Sequence, residues 1–556
     1  MKCNIIYTLR IAVALVSLCT IISSCQKDEF SNKNEDSIWQ KLTLSVTCND
    51  FAADGTTTRA FEHVVSTYLT KGDTLGLYVV RDGKIVYDNI PFTFISSEND
   101  NRRTFHEQVG NTELRSNAKK DSYFIYYPYK KGIDKSILNA TATDDRDFFA
   151  NLISNWEVKN DQNDYATGYT ASDLMTSKGS TDPRYTMDNK IGITARLSHR
   201  MSLIEVELPA HVYELYYQGV KQSNSYEVYP SDVRFQAGYY KFWNISPGQY
   251  RFIINPEKAK NATQYTVDWG WSTSTKRYTY NIDLSDMMPG GYRTFSYESS
   301  DRPEEYDLQE GDLYMNDGLL VSKDKDLSGA GGGVIKSNIL GVVFSVGHNE
   351  NDMTDYSETG IGTEKCHGYV VTRRMVCPGK LVTWSSNITS AIGCWPRLNN
   401  EIDGEYNKGT GSAHSVVKDW SGYTWTQMII KANGGTDKLA GNYDAAYYAT
   451  QMRSNGGIIY ADYVKAPASS SGYFLPAKEQ VAEVLYFEES SGIGKTTQTN
   501  IGYTRLSDND QWSSTEVMPW QYNEYAIVVT KSEDIVMATQ GTKNTKKAEA
   551  RPFLAF

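Results

Sequence analysis

The chain has 556 residues, with 67 acidic and 56 basic side chains and a formal net charge of −11 at pH 7. This balance weighs against a nucleic-acid-binding protein, which presents a basic surface to phosphates. Charged residues make up 22% and hydrophobic residues 40% of the chain, so the composition excludes wholesale disorder. The 40 tyrosines and 42 glycines against 15 prolines favour a β-rich protein. At this length we expect about three or four domains.

The first residues resemble an export signal that leads to a lipid anchor. A basic start with Lys2 and Arg10 precedes an apolar run over residues 11–22. That run is short for a membrane-spanning helix, which needs roughly 20 residues. Small residues then lead to Cys25, as in a bacterial lipobox, where the cysteine is acylated once residues 1–24 are removed. The alternative is an ordinary signal peptide followed by a chance cysteine.

The segment after the cysteine resembles the short charged signal that directs lipoproteins of Bacteroides-type bacteria to the cell surface: Gln26, Lys27, Asp28 and Glu29. Residues 25–40 are polar and lack periodicity, as expected of a tether. No later segment reaches the roughly 18 apolar residues that a membrane-spanning helix needs. The sequence therefore predicts a lipoprotein of the cell outer membrane, exposed at the surface.

From residue 41 onward, apolar and polar residues alternate with the period of β-strands. The apolar side chains of the first predicted strand are Leu42, Leu44 and Val46. Asp82 and Gly83 between two apolar runs predict a β-hairpin. A later alternation changes phase at Ile204, which indicates a bulge or a strand end, and Pro209 follows. We expect one β-domain over residues 41–209 and another over residues 210–304.

Five short motifs follow one another in this region: Thr58-Arg59-Ala60, Lys71-Gly-Asp-Thr-Leu-Gly-Leu-Tyr, Tyr126-Tyr-Pro-Tyr, Ser172-Asp-Leu-Met and Leu197-Ser-His-Arg-Met. Taken in this order over about residues 41–300, they resemble the fimbrillin family, the subunits of surface pili in Bacteroides-type bacteria. The resemblance implies two transthyretin-like β-sandwich domains, a lipoprotein precursor, and partners that are other fimbrillin subunits.

The resemblance also implies assembly by strand exchange. An arginine-specific protease would cut between Arg59 and Ala60, and the first strand would leave with Leu42, Leu44 and Val46. The C-terminal strand of a neighbouring subunit would then fill the opened groove. Residues 54–59 are small and polar up to the arginine, as exposed cleavage sites tend to be. The alternative is an ordinary loop arginine and a strand that stays in place.

Residues 305–556 differ from the preceding regions in composition and in predicted secondary structure: tryptophans are frequent, and two helices are predicted. One helix has Ala445, Tyr448, Ala449 and Met452 on one face, and the other follows Pro476 and buries Val481, Val484 and Leu485. Three motifs in this region are Gly472-Tyr-Phe-Leu-Pro, Trp512-Ser-Ser-Thr-Glu and Arg551-Pro-Phe-Leu-Ala-Phe. They resemble C-type-lectin-like domains, which implies an α+β fold. We expect Trp512 and Phe553 in its core.

The sequence supports neither a cofactor nor an enzymatic activity. The Glu-Pro-Asn, Gln-Pro-Asp and Trp-Asn-Asp tripeptides of calcium-binding lectins are absent from it. Asp324 opens an EF-hand-like run, but Ile335 stands where that loop needs Glu. The glycines before Lys336 do not match a phosphate-binding loop. Cys366, Cys377 and Cys394 allow one disulfide with a free thiol, or none.

A shaft subunit of this family donates its C-terminal strand, whereas here residues up to Phe556 form part of the predicted lectin-like fold. The first hypothesis is therefore a fimbrial tip subunit whose lectin-like domain binds a host or bacterial surface protein or glycan. The alternative is a non-polymerising surface lipoprotein that binds glycan or protein. A surface hydrolase is a third possibility, for which the sequence nominates no residue.

Overall fold

The computed structural model of the protein describes residues 41–53, 67–98, 102–185, 190–236, 239–260, 265–274, 276–299, 301–374, 380–386, 392–395, 418–450, 465–493, 501–517, 524–532 and 535–556. The chain divides into two compact units. The first comprises residues up to 51, 63–156 and 174–200, and the second comprises 52–62, 157–173 and 201–556. Both are built mainly from β-strands, so the expectation of a mainly β fold is confirmed.

The first eight described strands are β1 Lys41–Cys48, β2 Ala52–Ala53, β3 Thr74–Arg81, β4 Lys84–Ser97, β5 Arg103–Gln108, β6 Asp121–Tyr127, β7 Met175–Thr181 and β8 Lys190–His199. All except β2 belong to the first unit, where they form a closed barrel in the order β1-β5-β4-β3-β6-β7-β8. Strand β1 closes the ring, because it pairs with both β5 and β8. Two short helices, α1 Asp145–Phe148 and α2 Ala150–Asn155, follow β6.

The predicted hairpin is present between β3 and β4. Arg81 pairs with Lys84, and the two residues between them have positive φ angles, 48° at Asp82 and 70° at Gly83. A two-residue turn with both φ angles positive matches the twist of antiparallel strands, and glycine adopts it without a steric penalty. The sequence signal at this turn therefore predicts the local structure correctly.

The barrel encloses one apolar core, to which every barrel strand except β5 contributes. Its members include these buried residues: Leu42, Leu44, Val46, Leu75, Leu77, Val79, Ile90, Phe92, Tyr123, Ile125, Met175, Ile191, Ile193 and Leu197. Outside the core, the rings of Phe124 and Phe148 stack in parallel with centroids 4.0 Å apart. This contact helps to hold α1 against the barrel.

The chain changes unit between Arg200 and Met201, ahead of the boundary expected at Pro209. Strand β8 ends at His199, and β9 Ser202–Glu207 lies in a sheet of the second unit. The phase change at Ile204 is therefore the passage from one strand to another, each with its own buried face.

The middle of the second unit contains β10 His211–Tyr217, β11 Val220–Lys221, β12 Tyr226–Val228, β13 Asp232–Phe235, β14 Trp243–Ser246, β15 Gln249–Ile254, β16 Tyr265–Gly270, β17 Arg277–Ile282, β18 Gly291–Ser296 and β19 Glu304–Asp307. A five-stranded sheet has the order β14-β15-β9-β18-β2, and a three-stranded sheet has the order β13-β16-β17. A further sheet has the order β11-β10-β12, with β19 parallel to β10. Two short helices, α3 Thr170–Ser172 and α4 Pro256–Ala259, complete this part.

The last part of the chain adds β20 Leu313–Met315, β21 Leu320–Val321, β22 Ile339–Val346, β23 Gly368–Thr372, β24 Gln511–Glu516, β25 Tyr525–Ser532, β26 Ile535–Thr542 and β27 Phe553–Ala555. They form two sheets, β21-β20-β22-β23-β27 and β24-β25-β26. The helices here are α5 Ala330–Asn338, α6 Gly422–Ala432, α7 Asp444–Thr450 and α8 Lys478–Ser491.

Both helices predicted near the C-terminus are present. Helix α7 contains Ala445, Tyr448 and Ala449, whereas Met452 lies outside the described residues. Helix α8 begins two residues after Pro476 and buries its predicted apolar face. Helices α5 and α6 were not predicted: the first lies in a glycine-rich run, and the second is rich in aromatic and β-branched residues with low helix propensity.

A shared apolar core joins residues 210–304 to residues 305–556 within the second unit. The Tyr226 hydroxyl lies 3.0 Å from the Tyr314 hydroxyl and donates to the carbonyl of Gly318 at 2.8 Å. The ring of Phe556 lies 5.2 Å from that of Tyr226 and 4.9 Å from that of Tyr314. The two regions therefore pack around common side chains.

Candidate functional site

Strand β1 occupies the position where a strand exchange would have to occur. Four of its residues pair with β5 in the antiparallel sense, from Leu44 with His106 to Thr47 with Arg103. All eight pair with β8 in the parallel sense, as in the pair of Val46 with Ala195. Because both edges of β1 are hydrogen-bonded, its removal would leave two unpaired strand edges facing each other across one gap.

The inward face of β1 consists of the three residues predicted from the alternation. Leu42, Leu44 and Val46 are 6%, 1% and 0% exposed. They belong to the barrel core together with side chains of β3, β4, β6, β7 and β8. The outward face carries short hydroxyl side chains, Thr43, Ser45 and Thr47. The strand is thus sharply amphipathic, and its apolar half belongs to the core.

A histidine of β5 lines the β1 position from within. His106 is 1% exposed, and its Nε2 atom lies 2.8 Å from the Thr104 hydroxyl. Its Nδ1 atom is buried without a hydrogen-bond partner among the described residues. Burial lowers the pKa of His106 to about 4, so the ring is neutral at physiological pH.

The end of β1 is fastened by a second histidine. His199 stacks on the ring of Phe51, with centroids 3.7 Å apart. Its Nε2 atom lies 2.9 Å from the carbonyl oxygen of Asn49 and 3.1 Å from the Thr67 hydroxyl. The backbone N–H of Asn49 donates to the carbonyl of Leu197 at 2.8 Å. These contacts continue the attachment of the strand to β8 as far as residue 51.

The next two residues belong to the other unit. Ala52 and Ala53 form β2, which pairs in parallel with β18. The backbone N–H of Ala52 donates to the carbonyl of Gly290 at 3.0 Å. A segment of thirteen residues, 41–53, therefore supplies a strand to each unit.

The remaining residues singled out in the N-terminal region lie outside the described residues. These are the acylation and export residues Cys25, Gln26, Lys27, Asp28 and Glu29, and the cleavage residues Arg59 and Ala60. The structure does describe the strands on either side of the cleavage segment, since β2 ends at Ala53 and β3 begins at Thr74.

The last six residues are part of a core. Residues 551–556 are all buried, and β27 pairs with β23. Arg551 is 1% exposed; its Nε donates to the carbonyl of Thr372 at 2.9 Å, and its guanidinium lies 5.4 Å from the ring centre of Tyr503. Phe553 exchanges backbone hydrogen bonds with Phe474 at 2.9 and 3.0 Å. Phe553 and Trp512 are both 0% exposed, which confirms the prediction that they are core residues.

A buried ion pair supports a loop in the same region. Glu516 and Lys543 are each 1% exposed at their side chains and form an ion pair. The Glu516 carboxylate also accepts from the backbone N–H groups of Ile392, Gly393 and Cys394, the last two at 2.7 and 3.0 Å. The pair therefore fixes the path of residues 392–394, which is a structural role.

The buried cysteines Cys366 and Cys394 are not activated, and both are free thiols. Burial raises the pKa of Cys366 and that of Cys394, which disfavours the nucleophilic thiolate. Cys377 lies outside the described residues. Among the described residues, no group of three or more His, Cys, Asp or Glu side chains is arranged to hold a metal ion. In that same part of the chain, no helix is both long and apolar enough to cross a membrane.

Sequence reasoning missed several residues around β1. The pairing of Arg103 and Arg196 with Thr47, and the orientation of His106 toward Leu44, depend on strands far apart in sequence. No local signal in the sequence reveals such pairings. His199 is the exception, because it lies within the Leu197-Ser-His-Arg-Met motif that contributed to the family resemblance.

Comparison with known proteins supports the resemblance. The chain is similar to a Bacteroides ovatus protein named "Putative fimbrium tip subunit Fim1C", with 22% identity over 553 residues that cover 93% of each chain. No family model matches the sequence.

Among solved structures, a fimbrial protein from Bacteroides ovatus is 21% identical, covers 93% of this chain and 100% of its own, and has a TM-score of 0.48. The fimbrial anchor protein Mfa2 from Porphyromonas gingivalis is 12% identical, with 46% of this chain and 88% of its own covered and a TM-score of 0.19. The name of the relative Fim1C is that of a fimbrial subunit rather than an enzyme. The similarity to Fim1C extends over nearly the full length of both chains and agrees with the fimbrillin resemblance of the sequence.

Proposed function

We propose that this protein is a cell-surface subunit of a bacterial fimbrium, positioned at the tip and assembled by replacement of β1 with a strand of the next subunit. The precursor is a lipoprotein that is acylated at Cys25 and tethered to the membrane by residues 25–40. Residues Gln26–Glu29 are the signal that directs it to the cell surface. The observation that carries the proposal is the position of β1 between β5 and β8, with its apolar face in the core.

The energetics favour an exchange over a simple loss of the strand. Burying a leucine or valine side chain contributes roughly 1.5–3 kcal/mol, so three such residues contribute roughly 5–9 kcal/mol. A barrel without β1 would expose this apolar surface together with two rows of unpaired backbone groups. An extended strand with alternate apolar residues satisfies both needs, which is the chemistry of β-strand addition.

A cut between Arg59 and Ala60 lies downstream of both β1 and β2. The released segment would therefore vacate a position in the barrel and an edge position beside β18 in the second unit. The two positions differ greatly in strength, because β1 has eight register pairs with β8 whereas β2 has two with β18. Most of the binding free energy of an incoming strand should come from the barrel.

The tip position is supported by the burial of residues 551–556. A subunit that donated β27 would lose Phe553 and Phe556 from two apolar cores and would unpair β23. A subunit that accepts a strand but keeps its own last strand belongs where the filament begins. The name of the Bacteroides ovatus relative agrees with this position.

The binding function belongs to residues 305–556 in this proposal. We infer that this region, by its resemblance to C-type-lectin-like domains, presents a surface that attaches to a host or bacterial surface protein or glycan. The outer membrane holds the precursor through its lipid anchor, and other fimbrial subunits are its assembly partners.

Limited digestion of the full chain with an arginine-specific protease tests the exchange mechanism. Intact-mass measurement should show a cut after Arg59, and an added peptide that copies residues 41–50 should then replace the native strand. The Arg59→Lys variant is the matched control, because it keeps the positive charge but removes the cleavage site. A chain that resists cleavage at Arg59 while being cut at other arginines would refute protease-triggered exchange.

Immunogold electron microscopy with antibody to residues 305–556 tests the position in the filament. Label at filament ends is expected for a tip subunit. Label spread evenly along filaments would mean that the last strand is donated after all. Label confined to the cell body would support the alternative, a non-polymerising surface lipoprotein that binds glycan or protein.

A further inference from the structure

Two arginines flank β1 in one row on the outer face of the barrel. Thr47 is the register partner of Arg103 on β5 and also of Arg196 on β8. Arg196 is exposed and Arg103 is half-buried. Neighbouring strands lie about 4.8 Å apart, so the side chain at this row of β1 stands directly between the two arginine side chains.

The row opens into a groove of about 430 Å³ at the end of β1. Arg102, Arg103 and Arg196 all line this groove, and Asp50 is the one carboxylate among the described residues that line it. Two of these arginines, Arg103 and Arg196, are the register partners of Thr47.

The two arginines of the row differ in their partners. Arg103 donates to the Ser45 hydroxyl at 3.0 Å, its Nε lies 3.7 Å from the carboxylate of Glu98, and Asp182 also interacts with it electrostatically. Arg196 forms no ion pair with any residue that the structure describes. Thr47 itself is neutral, so the native strand places no negative charge between Arg103 and Arg196.

We propose that the strand which replaces β1 carries an aspartate or glutamate at the row of Thr47. The inference rests on the strand exchange proposed above and identifies the chemistry of the partner. An incoming strand must place apolar residues where Leu42, Leu44 and Val46 now lie. This requirement fixes which of its side chains point outward, and the residue at this row points outward whichever way the strand runs.

The acidic residue favours binding of the incoming strand over rebinding of β1. It also distinguishes that strand from strands that carry a neutral or basic residue at this row. It gains two opposite-charge neighbours that the neutral Thr47 of β1 does not use, whereas a lysine at the same row would face two like charges. Opposite-charge cross-strand pairs are favourable by a modest amount, so we expect a preference of roughly fivefold for glutamate over threonine. Salt should weaken the preference, because the row is on the outer surface.

Peptide exchange into the cleaved full chain tests the inference. Three fluorescent peptides copy residues 41–50 with Cys48→Ser, one keeping the threonine and the others carrying Thr47→Glu or Thr47→Lys. Fluorescence anisotropy should rank the affinities Glu above Thr above Lys. The ranking should shrink in the Arg196→Gln chain. It should persist in Arg115→Gln, which removes an exposed arginine of the same unit that pairs with Glu113.

The outcomes separate this inference from the function on which it rests. If all three peptides enter with equal affinity, strand exchange stands and the acidic preference is refuted. If none enters, strand exchange itself fails and the inference fails with it.

The uncleaved full chain provides a measurement that needs no exchange. Thr47→Glu should raise its thermal midpoint and Thr47→Lys should lower it. Equal midpoints for the two variants would overturn the proposed role of the arginine row.

Discussion

His106 makes the β1 position sensitive to acid. Its folded pKa is about 4, below the ordinary value of 6.5, because burial disfavours the charged ring. Above pH 6.5 the ring is neutral in both the folded and unfolded states. As the pH falls below 6.5, the unfolded chain takes up the proton first, so stability decreases until about pH 4.

We therefore expect acidification from pH 7 to pH 5 to lower the free energy of unfolding of the barrel by roughly 2 kcal/mol. Hydrogen exchange at the amides of β1 and β5 is the measurement, because it reports on the barrel alone. This selectivity matters, since His367 in the second unit also has a pKa lowered to about 4 by burial. His106→Gln should abolish most of the loss in the barrel. An unchanged pH dependence in that variant would contradict the assignment.

The Glu516–Lys543 pair gives a second prediction at the scale of residues. Glu516→Gln leaves the buried ammonium of Lys543 uncompensated, and we expect a loss of about 3–5 kcal/mol. The double variant Glu516→Gln, Lys543→Met should recover part of this loss, because no charge then remains buried. Urea unfolding followed by the intrinsic tryptophan fluorescence of the chain measures both variants; one of its tryptophans, Trp384, has its ring 4.8 Å from the Lys543 ammonium. A double variant no more stable than the single one would argue against the charge as the cause.

At the scale of elements, β1 separates a core face from a surface face within one strand. Leu44→Ala should destabilise the barrel by about 2–5 kcal/mol, because it removes buried apolar volume from between β5 and β8. Thr43→Ala, one residue away on the outward face, is the matched control and should cost much less. Calorimetric melting of both variants measures the difference. Equal losses would mean that the strand is not fastened through its apolar face.

Whether an element can be predicted from the sequence depends on how far apart in the sequence its interacting residues lie. The alternation of Leu42, Leu44 and Val46 and the Asp82-Gly83 turn are local signals, and both predict the structure correctly. The phase change at Ile204 is also local, but its meaning is not, because β9 pairs with β15 and β18 rather than with the barrel. Helix α6 was missed for the same kind of reason: Trp425 and Ile429 are buried by tertiary packing that outweighs their weak helix propensity.

At the scale of the whole molecule, the shared core makes residues 210–304 depend on the last strand. Phe556→Ala should remove ring contacts with Tyr226 and Tyr314 and destabilise the second unit by about 3–5 kcal/mol. We expect faster hydrogen exchange in β10 and β12 as well as in β23. Ile535→Ala, at a side chain that is 63% exposed, is the control and should leave these rates unchanged. Protection lost in β23 alone would show that the two regions are energetically independent.

The double pairing of β1 also has a mechanical consequence. In the lipid-anchored precursor proposed above, flow would pull the protein through its tether, and the tension would enter the described chain at Lys41. Force along β1 acts parallel to its own axis, so its bonds to β5 and β8 are loaded in shear and share the load rather than breaking one after another. As long as the strand remains uncut, the segment that would attach the proposed precursor to the membrane thus leads into a long strand of the barrel that is hydrogen-bonded on both edges. Cleavage downstream of β2 would end this mechanical continuity at the same moment that it frees the strand to be replaced.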